Sequence, residues 1–175
     1  MKSIIQFIMI CCTLILSFAF GTNIFAAENT EKTDTQEQIH KTEESLEITP
    51  GENSIFIGKA EVVHLFDNTS WRPYYGAIVK YAPAARTDWH THPAGQVLIV
   101  TDGTIITGTG SGLVQAAKTG DIVLCPPDIR HWHGALENEG GAHIAITGFK
   151  DGSLVTWEEK VNAKEYAEAI AKITK

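Results

Sequence analysis

Five of the seven histidines fall in three places: His90 with His92, His131 with His133, and His143. In an extended strand, residues two apart project from the same face, so each His-x-His pair presents two imidazoles side by side. A neutral ring nitrogen donates to a metal at pH 7, and imidazole is the commonest side-chain metal ligand. Two such pairs on facing strands can converge on one cation. A lone histidine is more often a hydrogen-bonded, half-buried ring. His40, in a polar stretch, and His64, inside a strand pattern, have no such company.

The elements that must position these residues read as short strands broken by turn residues. Strands are predicted over residues 60–66, 75–81, 96–101, 104–107, 113–117, 121–125, 131–136 and 143–148. Asp102-Gly103 and the glycines from Gly108 to Gly112 are hairpin signals, and Lys118-Thr119-Gly120-Asp121 is a turn signal. Many short strands at this spacing predict an all-β sandwich or barrel. One helix is predicted at the C-terminal end, where Asn162 and Glu165 form a cap-like start and Tyr166, Ala169, Ile170 and Ile173 make an apolar stripe. Residues 97–100 and 144–146 are apolar on both strand faces, whereas a strand wetted on one side alternates. An outer sheet face is therefore expected to be covered by the helix or by a second subunit, and a homodimer is the expected state.

The chain divides into three parts. Lys2, the apolar run over residues 4–20 and the small pair Ala26-Ala27 read as a secretory signal peptide over residues 1–27. Residues 28–54 are rich in Thr, Glu, Lys and Gln and read as a flexible tether. Residues 55–175 form the folded domain with its helix. Export to the periplasm or exterior is the expected localisation, with no membrane attachment after cleavage. Cys11 and Cys12 lie in the apolar run, so Cys125 is the one thiol of the mature chain, without an intramolecular disulfide; its strand setting predicts burial. The formal net charge of -7 argues against nucleic acid or an anionic membrane surface as partner. Arg72, Arg86 and Arg130 read as surface ion-pair residues, and Trp71, Trp89, Trp132 and Trp157 as core or interface residues.

The stretch Trp89-His90-Thr91-His92-Pro93-Ala94-Gly95-Gln96, closing at Gly103, resembles the first motif of the cupin superfamily. Gly120-Asp121-Ile122-Val123-Leu124-Cys125-Pro126-Pro127, running to His131, resembles the second. Asp128 departs from the motif, which has Gly there. The resemblance implies a double-stranded β-helix, or jelly-roll barrel, with a C-terminal α-helix. It also implies a divalent first-row transition metal at His90, His92, Gln96 and His131. Gln96 replaces the usual Glu, which removes one negative charge from the site. Manganese is the expected metal, with iron, zinc, nickel and copper also suited to such N/O donors.

A closer likeness is carried by WHTHPAGQVLIV, CPPDIRHWHGA, AHIAI and VTWEEKV. These resemble the small bacterial cupins that include manganese-dependent (R)-selective hydroxynitrile lyases. That resemblance implies carbon–carbon bond cleavage of a small cyanohydrin. Strand geometry puts His133 on the same face as His131, as a fifth ligand, an orienting partner or a general base. The resemblance implies that His143, on a later strand, lies in the active site, so His133 and His143 are the acid/base candidates, and a cationic group is expected near the departing cyanide. Ala94, Ala135 and Ala145 would leave room for the substrate. Two other readings fit the same residues: a metal-dependent dioxygenase of a small organic substrate, and a non-enzymatic module that binds a small ligand.

Overall fold

Twelve short strands form one strongly curled sheet in two facing layers in the computed structural model, which describes residues 37–174. The signal-peptide expectation lies outside the described residues. The strands are β1 (Glu47–Pro50), β2 (Phe56–Ile57), β3 (Ala60–Phe66), β4 (Tyr74–Tyr81), β5 (Arg86–Thr87), β6 (His90–Thr91), β7 (Gln96–Thr109), β8 (Val114–Lys118), β9 (Ile122–Cys125), β10 (His131–Ala135), β11 (Gly141–Gly148) and β12 (Thr156–Trp157), followed by the helix α1 (Ala163–Ile173). The first layer runs β1-β3-β4-β11-β7-β9. In the second, β8 and β10 flank the later half of β7, and β10 in turn pairs with β5 and β6.

Two expectations from the sequence give way. Residues 96–109 are a single strand, not two strands joined at Asp102-Gly103. Gly103 has φ +59°, but the chain turns a corner there and passes from the first layer to the second. A glycine with positive φ serves a bend within a strand as readily as a hairpin. Both halves of β7 find strands on either side, so neither needs to fold back on the other. The second difference is β1, which lies inside the stretch expected to be a tether. It pairs with β3 from Glu47–His64 to Pro50–Glu61 and is exposed along its length. Backbone pairing holds it, and composition does not register backbone pairing. The Gly108 to Gly112 hairpin and the turn at Lys118 both form, the latter with the Asp121 carboxylate accepting from the Lys118 N–H at 2.8 Å.

One apolar core fills the space between the layers around Phe56, Val79, Val100 and Ile105. A second lies outside the second layer, where Trp89, Ile106 and Trp132 meet Tyr166 and Ala169 of the helix. The helix therefore covers the outer face of the second layer. Its start is a full capping box: the Asn162 side chain accepts from the N–H groups of Lys164 and Glu165, and Glu165 accepts from the Asn162 N–H. Such a cap contributes about 1 kcal/mol. Its Tyr166 hydroxyl donates to the Ala135 carbonyl at 2.8 Å. No helix among the described residues is long and apolar enough to cross a membrane.

Candidate metal centre and its cavity

β6 and β10 run side by side with His90 paired to His131, which places the two His-x-His segments together on the inner face of the second layer. Nitrogens of His90, His92 and His131 lie within 4.8 Å of one another, and all three rings are buried. Each ring is oriented by a backbone carbonyl. His90 Nδ1 is 2.9 Å from the Asp88 oxygen, His131 Nδ1 is 2.8 Å from that of Ile129, and His92 Nδ1 is 2.7 Å from that of Leu154. A carbonyl only accepts, so Nδ1 carries the proton in each ring and Nε2 presents a lone pair. Nε2 of His90 and of His92 is buried without a protein partner.

Gln96, at the start of β7, completes the group. Its Nε2 donates to the Thr147 hydroxyl at 3.1 Å, which turns Oε1 toward the histidines, 3.3 Å from His131 Nε2. Two acceptors facing each other at that distance, beside two more unpartnered lone pairs, repel unless a cation lies among them. This donor set therefore fits a metal ion. Burial pushes the histidines toward neutrality: His90 sits well below its ordinary value, His92 is pushed down to about 4, and His131 is lowered. Neutral imidazole is the form that ligates. The four side chains bring no negative charge.

His133, two residues after His131, is the next inward side chain of β10. It is not among the three converging nitrogens. Its Nδ1 lies 2.8 Å from the Tyr81 hydroxyl and 3.1 Å from His143 Nε2, and its Nε2 has no protein partner. His143 is fully buried on β11. Burial, followed by the neighbouring imidazoles, puts His133 well below the usual histidine range, and burial pushes His143 down to about 4. Burial raises the Tyr81 phenol well above its ordinary value, so it keeps its proton. Tyr81 is a residue the sequence reading missed. The signal was its inward parity on β4, with Ala77 and Val79; its link to His133 depends on how β4, β11 and β7 align.

These groups open onto a cavity of about 270 Å³ whose remaining wall is mostly apolar, with Val62, Ala77, Val79, Ala145, Leu154 and Trp157. Among the described residues no lysine, arginine or carboxylate lines it. The expected cationic group is therefore not a lysine or arginine of the wall. Arg130 pairs with Glu158 and Glu159, Arg72 donates to the Asp67 carbonyl, and Arg86 is buried beneath the helix. Of the three alanines expected to make room, only Ala145 lines the cavity; Ala135 is core and Ala94 is exposed. Trp157, expected in the core or an interface, stands at the mouth with its ring 4.7 Å from that of His90. Burial pushes the Cys125 thiol up to about 11, so it stays protonated.

A model of the cupin domain matches residues 77–147. An (R)-mandelonitrile lyase from Granulicella tundricola is 40% identical over 111 residues, which are 63% of this chain and 85% of that protein. The chain belongs to the cupins. Among solved structures, a cupin-like protein from Thermotoga maritima superposes with a TM-score of 0.66 at 34% identity, covering 69% of this chain and 92% of that one. A predicted oxalate decarboxylase from the same organism aligns with a TM-score of 0.52 at 19% identity, over 59% of this chain and 95% of that one, and shows the fold alone. In this cupin Asp128, where the motif has Gly, adopts φ +62°. Asp tolerates that left-handed conformation better than most side chains, so the turn leading to His131 is kept.

Proposed function

We propose that this cupin is a carbon–carbon lyase that cleaves a small cyanohydrin to a carbonyl compound and hydrogen cyanide, with manganese held by His90, His92, Gln96 and His131. The observation that carries the reading is a charge-free donor set on an apolar cavity whose wall also holds His133, linked to Tyr81 and His143. The likeness to the (R)-mandelonitrile lyase supports it. A bound divalent ion supplies Lewis acidity, polarising a hydroxyl or carbonyl oxygen placed in the cavity. His133 is the base. It takes the substrate's hydroxyl proton at Nε2, the nitrogen without a protein partner. The Tyr81 oxygen and His143 Nε2 are then the acceptors for its Nδ1–H. As the carbonyl double bond forms, the bond to the nitrile carbon breaks and its electron pair leaves with cyanide. The proton returns from His133 to cyanide, so protonated His133 supplies the cationic charge that no lysine or arginine provides. The apolar wall and Trp157 exclude water from the aldehyde. We also propose export, supported by Lys2 and the apolar run over residues 4–20, and a homodimeric state, supported by the two-sided apolar strands.

Manganese-loaded protein is expected to release benzaldehyde from mandelonitrile, followed by the aldehyde's absorbance. His133→Ala should lower kcat on the order of 100-fold or more while the protein keeps its metal. Loaded protein that turns mandelonitrile over in neither direction overturns the lyase reading, and oxygen uptake with a diketone in the same preparation would select the dioxygenase instead. Tyr81→Phe removes the hydroxyl beside His133 Nδ1 and leaves the four donors untouched. It should cost about 1 kcal/mol of stability and lower kcat roughly 10- to 100-fold, with metal content unchanged by elemental analysis.

A further inference from the structure

We infer that Tyr75, with His64 stacked on it, is a polar subsite of the cavity that binds a neutral hydroxyl on the end of the substrate remote from the metal ligands. The inference rests on the lyase reading of the cavity and narrows its substrate class to small cyanohydrins whose apolar body ends in a hydroxyl. Strand registers fix where the subsite lies. Tyr75 on β4 is paired with Thr147 on β11, and Thr147 with Gln96 on β7. Strands about 4.8 Å apart place Tyr75 about 10 Å from Gln96 on the same inner face, a span that one aromatic ring with a substituent can bridge. The next row sets His64, Ala77 and Ala145 side by side. Both alanines, with Val62 and Val79, line the wall and leave room for an apolar body.

Other polar groups of the wall are already committed. The Tyr81 hydroxyl is bonded to His133, and the Gln96 amide to Thr147. The Tyr75 hydroxyl makes no hydrogen bond among the described residues, although its side chain lines the cavity and is half-buried. Stacking holds the ring instead: the His64 ring lies 5.3 Å away at 18°. His64 is itself fixed by Asp67, whose Oδ1 is 3.2 Å from its Nε2. A ring held in this way presents its hydroxyl with little further ordering to be done on binding. Burial, then the Asp67 and Glu47 carboxylates, raises the phenol above its ordinary value, so it keeps its proton and can both donate and accept. The same two carboxylates disfavour an anionic group beside Tyr75, which leaves a neutral hydroxyl as the fitting end.

The test is equilibrium binding of two aldehydes of matched shape, 4-(hydroxymethyl)benzaldehyde and 4-ethylbenzaldehyde, measured by calorimetry in manganese-containing buffer. The full chain is compared with Tyr75→Phe, which keeps the ring and its stack and removes the hydroxyl alone. The variant is expected to bind the alcohol roughly 3- to 10-fold more weakly, the worth of one neutral hydrogen bond, and the ethyl compound within about twofold of the native chain. An alcohol that loses no affinity in the variant, or loses no more than the ethyl compound does, overturns the subsite. So does a native chain that binds neither aldehyde. The expected contrast in a protein that cleaves no cyanohydrin overturns the lyase reading alone, whereas cleavage of mandelonitrile without the contrast overturns the subsite alone.

Discussion

Metal-free protein titrated with manganese gains more than about 10 °C in melting temperature, and the His90→Ala/His131→Ala variant gains nothing. A ligand that binds only the folded state stabilises it by about 4 kcal/mol at a thousandfold excess over its Kd. At this size each kcal/mol is worth roughly 4 °C. The gain is large here because the empty group is poorly arranged: two unpartnered Nε2 atoms and two acceptors 3.3 Å apart are buried together. The double variant removes two of three imidazole donors. Its loss of affinity should exceed the roughly 10- to 100-fold seen when only a ligand's outer hydrogen-bond partner is removed. Differential scanning with and without metal, together with elemental analysis, gives the result. A native protein whose melting point ignores every first-row divalent ion would end the metal reading.

Acid should unfold the metal-free domain between about pH 6.5 and pH 4, higher than carboxylate protonation alone would achieve. His90, His92, His131, His133 and His143 all sit below their ordinary values because burial disfavours the charged ring. In the unfolded chain the same residues titrate near the ordinary imidazole value of about 6.5. Between the two values the unfolded chain holds more protons, so stability falls as pH drops through 6.5 and levels off below the folded value. For His143, held down to about 4, the loss is roughly 3 kcal/mol once pH is below that value. One such group consumes a sizeable part of the roughly 5–15 kcal/mol that holds a domain folded. Circular dichroism across pH, with and without manganese, measures it; bound metal should move the midpoint to lower pH. A metal-free melting temperature that stays flat from about pH 7 to pH 4 would contradict the account.

What the sequence made legible follows from how local each feature is. The two His-x-His pairs were readable because strand period two is a local rule; that His131 joins His90 and His92 while His133 stays apart follows from the pairing of β6 with β10, which the rule does not supply. The capping box at Asn162 is equally local. Tyr81 was not readable as a partner of His133, because 52 residues separate them and the contact depends on three strand registers. The orientation of Gln96 depends in the same way on Thr147, 51 residues away. Asp102-Gly103 misled because a positive φ signals a change of direction without saying whether the chain reverses or merely bends. The place of Trp157 at the cavity mouth was not readable, because it is set by the two-residue pairing of β12 with β6, too short to leave a pattern.

The hydrogen bond from His92 to Leu154 spans 62 residues, and it dictates the order in which the site can be assembled. All three histidine donors are synthesised by residue 131, yet the carbonyl that orients His92 and the indole that shields His90 come from residues 154 and 157. A growing chain that has reached only His131 owns the ligands without the frame. Closing that long loop is entropically costly and must be completed by the rest of the fold. An ion trapped by the partial chain would be held loosely and exchange freely. The choice of metal is therefore postponed until the last strand has docked, and the ions available at that moment and place decide the occupant.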